Sequence, residues 1–483
     1  MLKNEDIWAF NLKIRMHNKK IFILLPDGIG LRNFAFTNFH KLGLDKEFDI
    51  TFWNNTPFDL DEFGIKEIKI KNAKAHPVTD LLKAAQTHIE LSQSVKKSKD
   101  TVYNSYRFPL SRKNVKASLK TSIIKAIILW NNSQKGLKNI RAAIAKNERK
   151  TKLYFNSLET LQQEKPAMVF CTNQRIMLAV APVLAAKDLG IPTATFIFSW
   201  DNLPKGTKIL ETDFYFVWSE HMKSELMYYY PHISENQIKV TGTPQFVAHF
   251  DKEIIESKET FYKKHNLDFN KKYICFSGDD ITTSPNDPQY LAEVAAAVKN
   301  LNTNGNNLGI IFRRCPVDFS NRFDTVLNEN KNLITCLDPK WKKLGQEWNT
   351  ILPTKEDLML QMNTIFHSEL VINLGSSMVF DFVAFNKPCG FINYDVPNAK
   401  FPDWSVKKIY NFIHFRSMPS KNSVFWINHP DEMEEIIKKM LSNDSANVVE
   451  QAQKWFEIIN QHPPEKASDR IWNAIGEICK KSC

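Results

Sequence analysis

Along this 483-residue chain, short runs of β-branched and aromatic residues alternate with amphipathic stretches of helical period, the pattern of parallel α/β layering. Strands are predicted at 20–26, 49–54, 65–71, 167–173, 193–199, 213–218 and 237–241. A second series follows at 272–277, 308–313, 333–337, 370–374, 389–394 and 423–427. Between the two, Gly242-Thr243-Pro244 and a charged helical stretch at 251–265 read as a hinge, with the boundary near residue 250. The expected domains are therefore 1–250 and 251–445, and helical patterns at 430–443 and 445–481 suggest closing helices, 446–483, that pack across both. One segment breaks the alternation: 77–164 carries almost no strand signal and reads as three or four helices inserted into the first domain.

Composition adds little until the charge is located. Hydrophobic residues at 43% and charged residues at 24% exclude disordered and fibrous classes, and the formal charge of +11 suits an anionic partner. Between Lys96 and Lys152 there are 16 Lys and Arg against Asp100 and Glu148, a balance of +14, so the rest of the chain sums to −3. The helical insert is basic and the two α/β halves are nearly neutral. No window approaches a membrane span and the start of the chain does not read as a signal peptide, so a cytoplasmic protein is expected. Seven scattered cysteines without a Cys-x-x-Cys pair read as reduced thiols, with no structural zinc.

The most informative stretch runs from Leu370 to Tyr394 and reads strand, Gly375-Ser376-Ser377 turn, helix, strand. Glycine lets a backbone approach a ligand, free N–H groups at a helix start attract an anion, and Ser376 and Ser377 add hydroxyl donors. Asp381, four residues beyond Ser377, falls on the same helix face, where a carboxylate could accept from a ribose diol. A Ser-capped helix with a buried Asp is the structural alternative. The strand ending Ile310-Ile-Phe-Arg-Arg-Cys-Pro316 delivers Arg313 and Arg314 to a carboxyl edge, and Ser277-Gly278-Asp279-Asp280 forms a polar loop at another.

These motifs resemble glycosyltransferases of the two-domain GT-B fold, most closely the bacterial surface-polysaccharide enzymes, including CDP-glycerol glycerophosphotransferases and, more distantly, UDP-N-acetylglucosamine 2-epimerases. The resemblance is specific from about Thr241 to Asp395, while the first half matches in layout. It implies two Rossmann-like domains facing a cleft, with the donor nucleotide, UDP- or CDP-linked, in the second. Gly375, Ser376 and Ser377 match the diphosphate turn, and Asp381 stands where the family more often has Glu for ribose. Arg313 and Arg314 stand where related transferases carry His-Pro or Lys-Pro-His-Pro, which keeps the charge and removes a titrating imidazole.

In the first half, strand 20–26 runs into Asp27-Gly28-Ile29-Gly30-Leu31-Arg32-Asn33, with Asn33 where a dinucleotide fingerprint needs glycine, and the second strand ends in Asn54 and Asn55 without the acidic residue that grips ribose. Bound NAD is therefore not expected, and Gly28, Arg32 and Asn33 suit the acceptor side. Trp200, Asp201, Asn202 and Lys205 concentrate stacking and hydroxyl-binding groups after another strand, with Gln174 and Arg175 at the edge beside it. A capped turn would use the same residues. If transfer inverts the anomeric centre, an acceptor hydroxyl needs a base, for which Asp27 is the first candidate and Asp201 the second.

No resident cofactor or metal is expected: Walker, zincin and nucleophile-elbow motifs are absent. Asp59-Leu60-Asp61 imitates a D-x-D clamp but has no other carboxylate pattern around it. The expected function is metal-independent transfer of a sugar from a nucleotide donor to a cell-surface polysaccharide or lipid-linked acceptor. Polyol-phosphate transfer and sugar-nucleotide 2-epimerisation are the enzymatic alternatives. A non-enzymatic membrane- or nucleic-acid-binding role is the other, and the few aromatics in the basic segment argue against nucleic acid. In helix 116–130, Leu119, Ile123, Ile127 and Trp130 line one face beside lysines, so 96–152 is expected either to meet an anionic membrane surface peripherally, at the inner face of the cell membrane, or to turn this stripe into the core.

Overall fold

The computed structural model describes residues 19–344, 351–397, 401 and 404–481; the outer ends of the expected domains, 1–18 and 482–483, and with them Cys483, lie outside the described residues. The chain forms two α/β units, one running to Pro244 and resuming at Gln461, the other Gln245–Asn460. The passage expected near 250 falls at 244, because Gly242 takes a left-handed φ of +78° and Phe246, Val247 and Ala248 are already buried in the second unit. The closing helical pattern is two helices: Ser445–Ile459 belongs to the second unit and Ala467–Lys481 to the first. Pro463 and Pro464 between them cannot continue a helix.

The first unit holds seven parallel strands, β1 (Lys20–Leu25), β2 (Asp49–Asn54), β3 (Glu67–Lys69), β4 (Met168–Cys171), β5 (Thr193–Phe196), β6 (Phe214–Val217) and β7 (Ile238–Val240). Their order is β3-β2-β1-β4-β5-β6-β7. Ile21 to Leu25 are all fully buried, as strands covered on both faces must be. Trp472 of the last helix stacks on Phe39 and Phe48 at centroid distances of 4.7 and 4.9 Å, which docks that helix onto this unit.

The segment between β3 and β4 is helical, as its lack of strand pattern predicts: Pro77–Ser98, Val115–Asn131, Gln134–Glu148 and Lys152–Glu164. His76, Asn114, Ser133 and Thr151 each accept a backbone N–H of the first turn that follows, so polar caps set all four starts. Leu82, Ile89, Leu137, Ile140, Ile144 and Leu161 bury against Phe22, Leu24, Val169 and Cys171 of the sheet. The helices thus cover one face of the first sheet.

The second unit has six parallel strands and a short antiparallel pair. They are β8 (Lys272–Ser277), β9 (Leu308–Arg313), β10 (Ile334–Cys336), the pair β11 (Lys342–Lys343) with β12 (Ile351–Leu352), β13 (Ser368–Asn373), β14 (Cys389–Ile392) and β15 (Phe425–Ile427). The main order is β10-β9-β8-β13-β14-β15. The two-residue strands β11 and β12 are too short to leave a periodic signal. In doubly wound sheets ligands gather at the carboxyl edge where the winding reverses. That point lies between β1 and β4 in the first sheet and between β8 and β13 in the second.

Candidate functional site

In the second unit the reversal point is flanked by the loops after β8 and β13. Gly375 has φ +63°, and a Cβ there would lie 3.1 Å from Phe415 and 3.2 Å from Ile409, so both conformation and space call for glycine. Asn373 Oδ1 accepts from the Ser376 backbone N–H at 3.0 Å and fixes the turn. Ser376 and Ser377 are half-buried. The helix that follows, Met378–Val383, has six residues, so its dipole is smaller than the sequence pattern suggests and the anion-holding capacity rests on the turn's own donors. Asp381 is buried, and His249 Nε2 lies 2.8 Å from its Oδ1, so the carboxylate expected on ribose is engaged inside the unit.

Arg313 is also engaged internally: its Nη2 donates to both oxygens of Asp357, at 3.0 and 2.9 Å, and both side chains are buried. Asp357 further accepts from Lys340 N–H and Trp341 Nε1. Arg314 donates to the Ser320 carbonyl, lies 3.4 Å from Asp338 and sits over the Phe323 ring. In the loop after β8, Gly278 N–H donates to the Arg313 carbonyl at 2.9 Å, joining that loop to the end of β9. Asp287 is buried with the half-buried Asp279 beside it, and loss of water around each carboxyl pushes it up to about 7. Arg322 braces this loop by donating to the carbonyls of Asp279, Ser284 and Pro285 and to Asp318. Asp318 and Arg322 carried no sequence signal, since they act on a loop 37–43 residues away, whereas Asp287 closes that loop from the first turn of the helix that follows it.

In the first unit the reversal point places Asp27 after β1 beside Asn173 after β4, with Asn173 Nδ2 donating to Asp27 Oδ2 at 2.9 Å. Burial pushes the Asp27 carboxyl up to about 6, opposed by the Ile29 and Gly30 N–H groups, the Arg175 charge and Asn173. A Cβ on Gly30 would stand 2.5 Å from Thr172 Oγ1, so the β1 loop can pass the end of β4 only with glycine there. Gly28 and Asn33 are buried and Arg32 is half-buried on the five-residue turn Leu31–Ala35. Lys83, from the insert helix Pro77–Ser98, donates to the Arg175 carbonyl at 2.6 Å, and burial followed by the Arg175 charge lowers its ammonium to about 8. Sequence reading missed Lys83 because 92 residues separate it from Arg175.

The loop after β5 is organised from below by Gln174, which accepts the Phe198 N–H and donates to Asn202 Oδ1, at 2.9 and 3.0 Å. Asp201 accepts from Ser199, Asn202 and Lys205, so its carboxylate is the hub of the loop, with Trp200 half-buried beside it. Its charge, after burial, helps raise Glu225 to about 8. Asp59 and Asp61 gain a third carboxylate that the sequence pattern does not place there. Potential ligand oxygens of Asp59, Asp61 and Glu67 lie within 4.8 Å of one another, with Glu67 also paired to Lys69 at 3.0 Å. The six described cysteines are free thiols.

No protein-family model matches the sequence, and a search of curated proteins returns no relative. Solved structures do share the fold. A UDP-N-acetylglucosamine 2-epimerase aligns at TM-score 0.51 and 12% identity, covering 95% of both chains. The S. aureus MnaA-UDP co-structure aligns at 0.51 and 15%, covering 95% of this chain and 97% of the other. A glycosyltransferase from Rickettsia africae aligns at 0.50 and 11%, covering 96% and 99%. The chain therefore has the GT-B fold of two Rossmann-like domains, shared by transferases and epimerases.

Proposed function

We propose that this chain transfers a sugar, without a metal ion, from a UDP- or CDP-linked donor to a cell-surface polysaccharide or lipid-linked acceptor. The observation that carries the reading is Asp27: a buried carboxyl raised to about 6 at the winding reversal of one sheet, where a general base for a hydroxyl acceptor is needed. The other sheet carries the turn Gly375-Ser376-Ser377 at its own reversal, with hydroxyl and N–H donors for a departing diphosphate. Ser277, Gly278 and Arg314 complete the donor side. Arg313 and Asp381 act there by position, through Asp357 and His249. On the acceptor side, Trp200 stacks on a sugar ring, while Gly28, Arg32, Asn33, Gln174, Arg175, Asn202 and Lys205 shape and charge the pocket, and Asp201 is the second candidate base.

The binding half of this reading is tested by thermal shift with UDP, CDP, GDP and CMP. One diphosphate is expected to raise the melting temperature, and Ser376→Ala with Ser377→Ala to weaken its binding about 100-fold or more, each lost hydrogen bond to a charged phosphate being worth about 1.5–3 kcal/mol. No shift with any nucleotide would end the proposal. Turnover is expected to survive EDTA. The shared fold with UDP-N-acetylglucosamine 2-epimerases supports a second reading, sugar-nucleotide epimerisation. Conversion of a UDP-sugar with no acceptor present would favour it.

A further inference from the structure

The helix Val115–Asn131 is apolar on two opposite sides, and among the described residues one side packs on the first unit while the other is exposed. Thr121 and Ile124 are buried, and Ile127 and Ile128 pack partly against the first unit's core. Of the expected stripe, Ile127 thus turns inward. On the other side Val115, Leu119 and Trp130, spaced so that they share a face with Ile123, are 87%, 62% and 81% exposed, and neighbouring Leu129 is 77% exposed. Phe108, just before the helix, is 79% exposed. Isolated exposed apolar residues are ordinary, but six large ones on one helix and its approach, Ile123 included, form a patch that water disfavours.

The charge around the patch identifies what covers it. At helical spacing Lys116 and Lys120 lie along one edge of the apolar face and Lys125 along the other, all exposed. Arg112, Lys113, Lys135 and Lys138 are exposed nearby. No acidic residue occurs between Asp100 and Glu148. Some of the segment's cations are already paired, Arg141 inward on Glu90 and Glu211 and Arg149 at the surface on Asp188. The exposed lysines remain. A second copy of this face would bring like charges together, and a nucleic acid would leave the leucines and the tryptophan wet. An anionic bilayer satisfies both features, because acyl chains accept the apolar face while lipid headgroups pair with the flanking lysines.

We infer that the exposed face of helix Val115–Asn131, with Phe108 and the surrounding lysines, is a seat for an anionic lipid bilayer. Among the described residues no helix is long and apolar enough to cross a membrane, so attachment is interfacial. This surface is independent of the transferase reading, since attachment is measured without turnover.

The test is co-sedimentation of the whole chain with phosphatidylcholine vesicles and with vesicles containing phosphatidylglycerol, at low and high salt. Binding is expected only with the anionic lipid and is expected to fall with salt. Lys116→Gln, Lys120→Gln and Lys125→Gln together are expected to lower partitioning about 100-fold, each lysine near an anionic surface being worth roughly fivefold. Leu129→Ser with Trp130→Ser is expected to lower it at least about tenfold at unchanged charge, through loss of apolar burial. Brominated lipid is expected to quench wild-type fluorescence more than that of Trp130→Phe. Binding indifferent to lipid charge, or unaffected by the Leu129/Trp130 pair, overturns the inference. So does RNA retention that removes the protein from vesicles, or a concentration-dependent dimer abolished by the Leu129/Trp130 pair.

Discussion

Replacing Asp27 with Asn is expected to lower turnover by about 10²–10⁴, the usual worth of a positioned general base, and to make the first unit more stable at neutral pH. The second effect follows from burial. The Asp27 carboxyl is raised from 3.8 to about 6 in the folded protein, so ionising it costs the fold up to about 3 kcal/mol at pH 8. Below pH 3.8 both states are protonated and the cost is absent. As pH rises from about 4 to about 6 the unfolded chain releases the proton while the folded one keeps it, so stability falls across that window and then levels. The substituted amide has no such dependence, and its oxygen can still accept from Asn173. Thermal unfolding of both proteins at pH 4 and pH 8, with turnover across the range, checks this. The variant should melt several degrees higher at pH 8 and about equally at pH 4, and wild-type turnover should rise to a plateau above about pH 6. A variant with near-normal turnover would remove Asp27 from the base role. One that is inactive and less stable at pH 8 would show that the carboxylate is structural.

The adjacent arginines are expected to separate just as sharply. Arg313→Met leaves the Asp357 carboxylate buried without its counter-charge, which costs about 3–5 kcal/mol, while the bonds from Lys340 and Trp341 keep the acid in place. The second unit should unfold at markedly lower denaturant. Arg314→Met, which leaves only the exposed Asp338 carboxylate unpaired, should cost less than Arg313→Met and instead weaken nucleotide binding about 10–100-fold, as expected for a charged hydrogen bond to phosphate. Urea unfolding beside nucleotide titration distinguishes them. A stable Arg313→Met protein with weakened nucleotide binding would return Arg313 to direct contact with the donor.

How far the sequence could be read is visible in these two positions. Both were legible as polar residues at the carboxyl end of an apolar strand, because alternation of strand and helix fixes where each strand ends. Their partners were not legible. Asp357 is 44 residues from Arg313, and Asn173 is 146 from Asp27. His249, which meets Asp381, lies 132 residues away. The same holds for Lys83, whose helix reads only as an amphipathic segment until it is laid against the end of β4.

The sequence by itself determined the two parallel α/β layers, the helical insert and the confinement of positive charge to it. These follow from local periodicity and composition, which act within one or two turns or strands. Only the tertiary structure decided which ionisable groups are spent inside and which face outward. It turned Arg313, Asp381 and Arg141 inward to buried partners, raised Asp27 by burial, and exposed Leu129 and Trp130 beside solvent-facing lysines. Those outcomes depend on how much water each side chain loses when distant segments pack, a quantity that no single stretch of sequence contains.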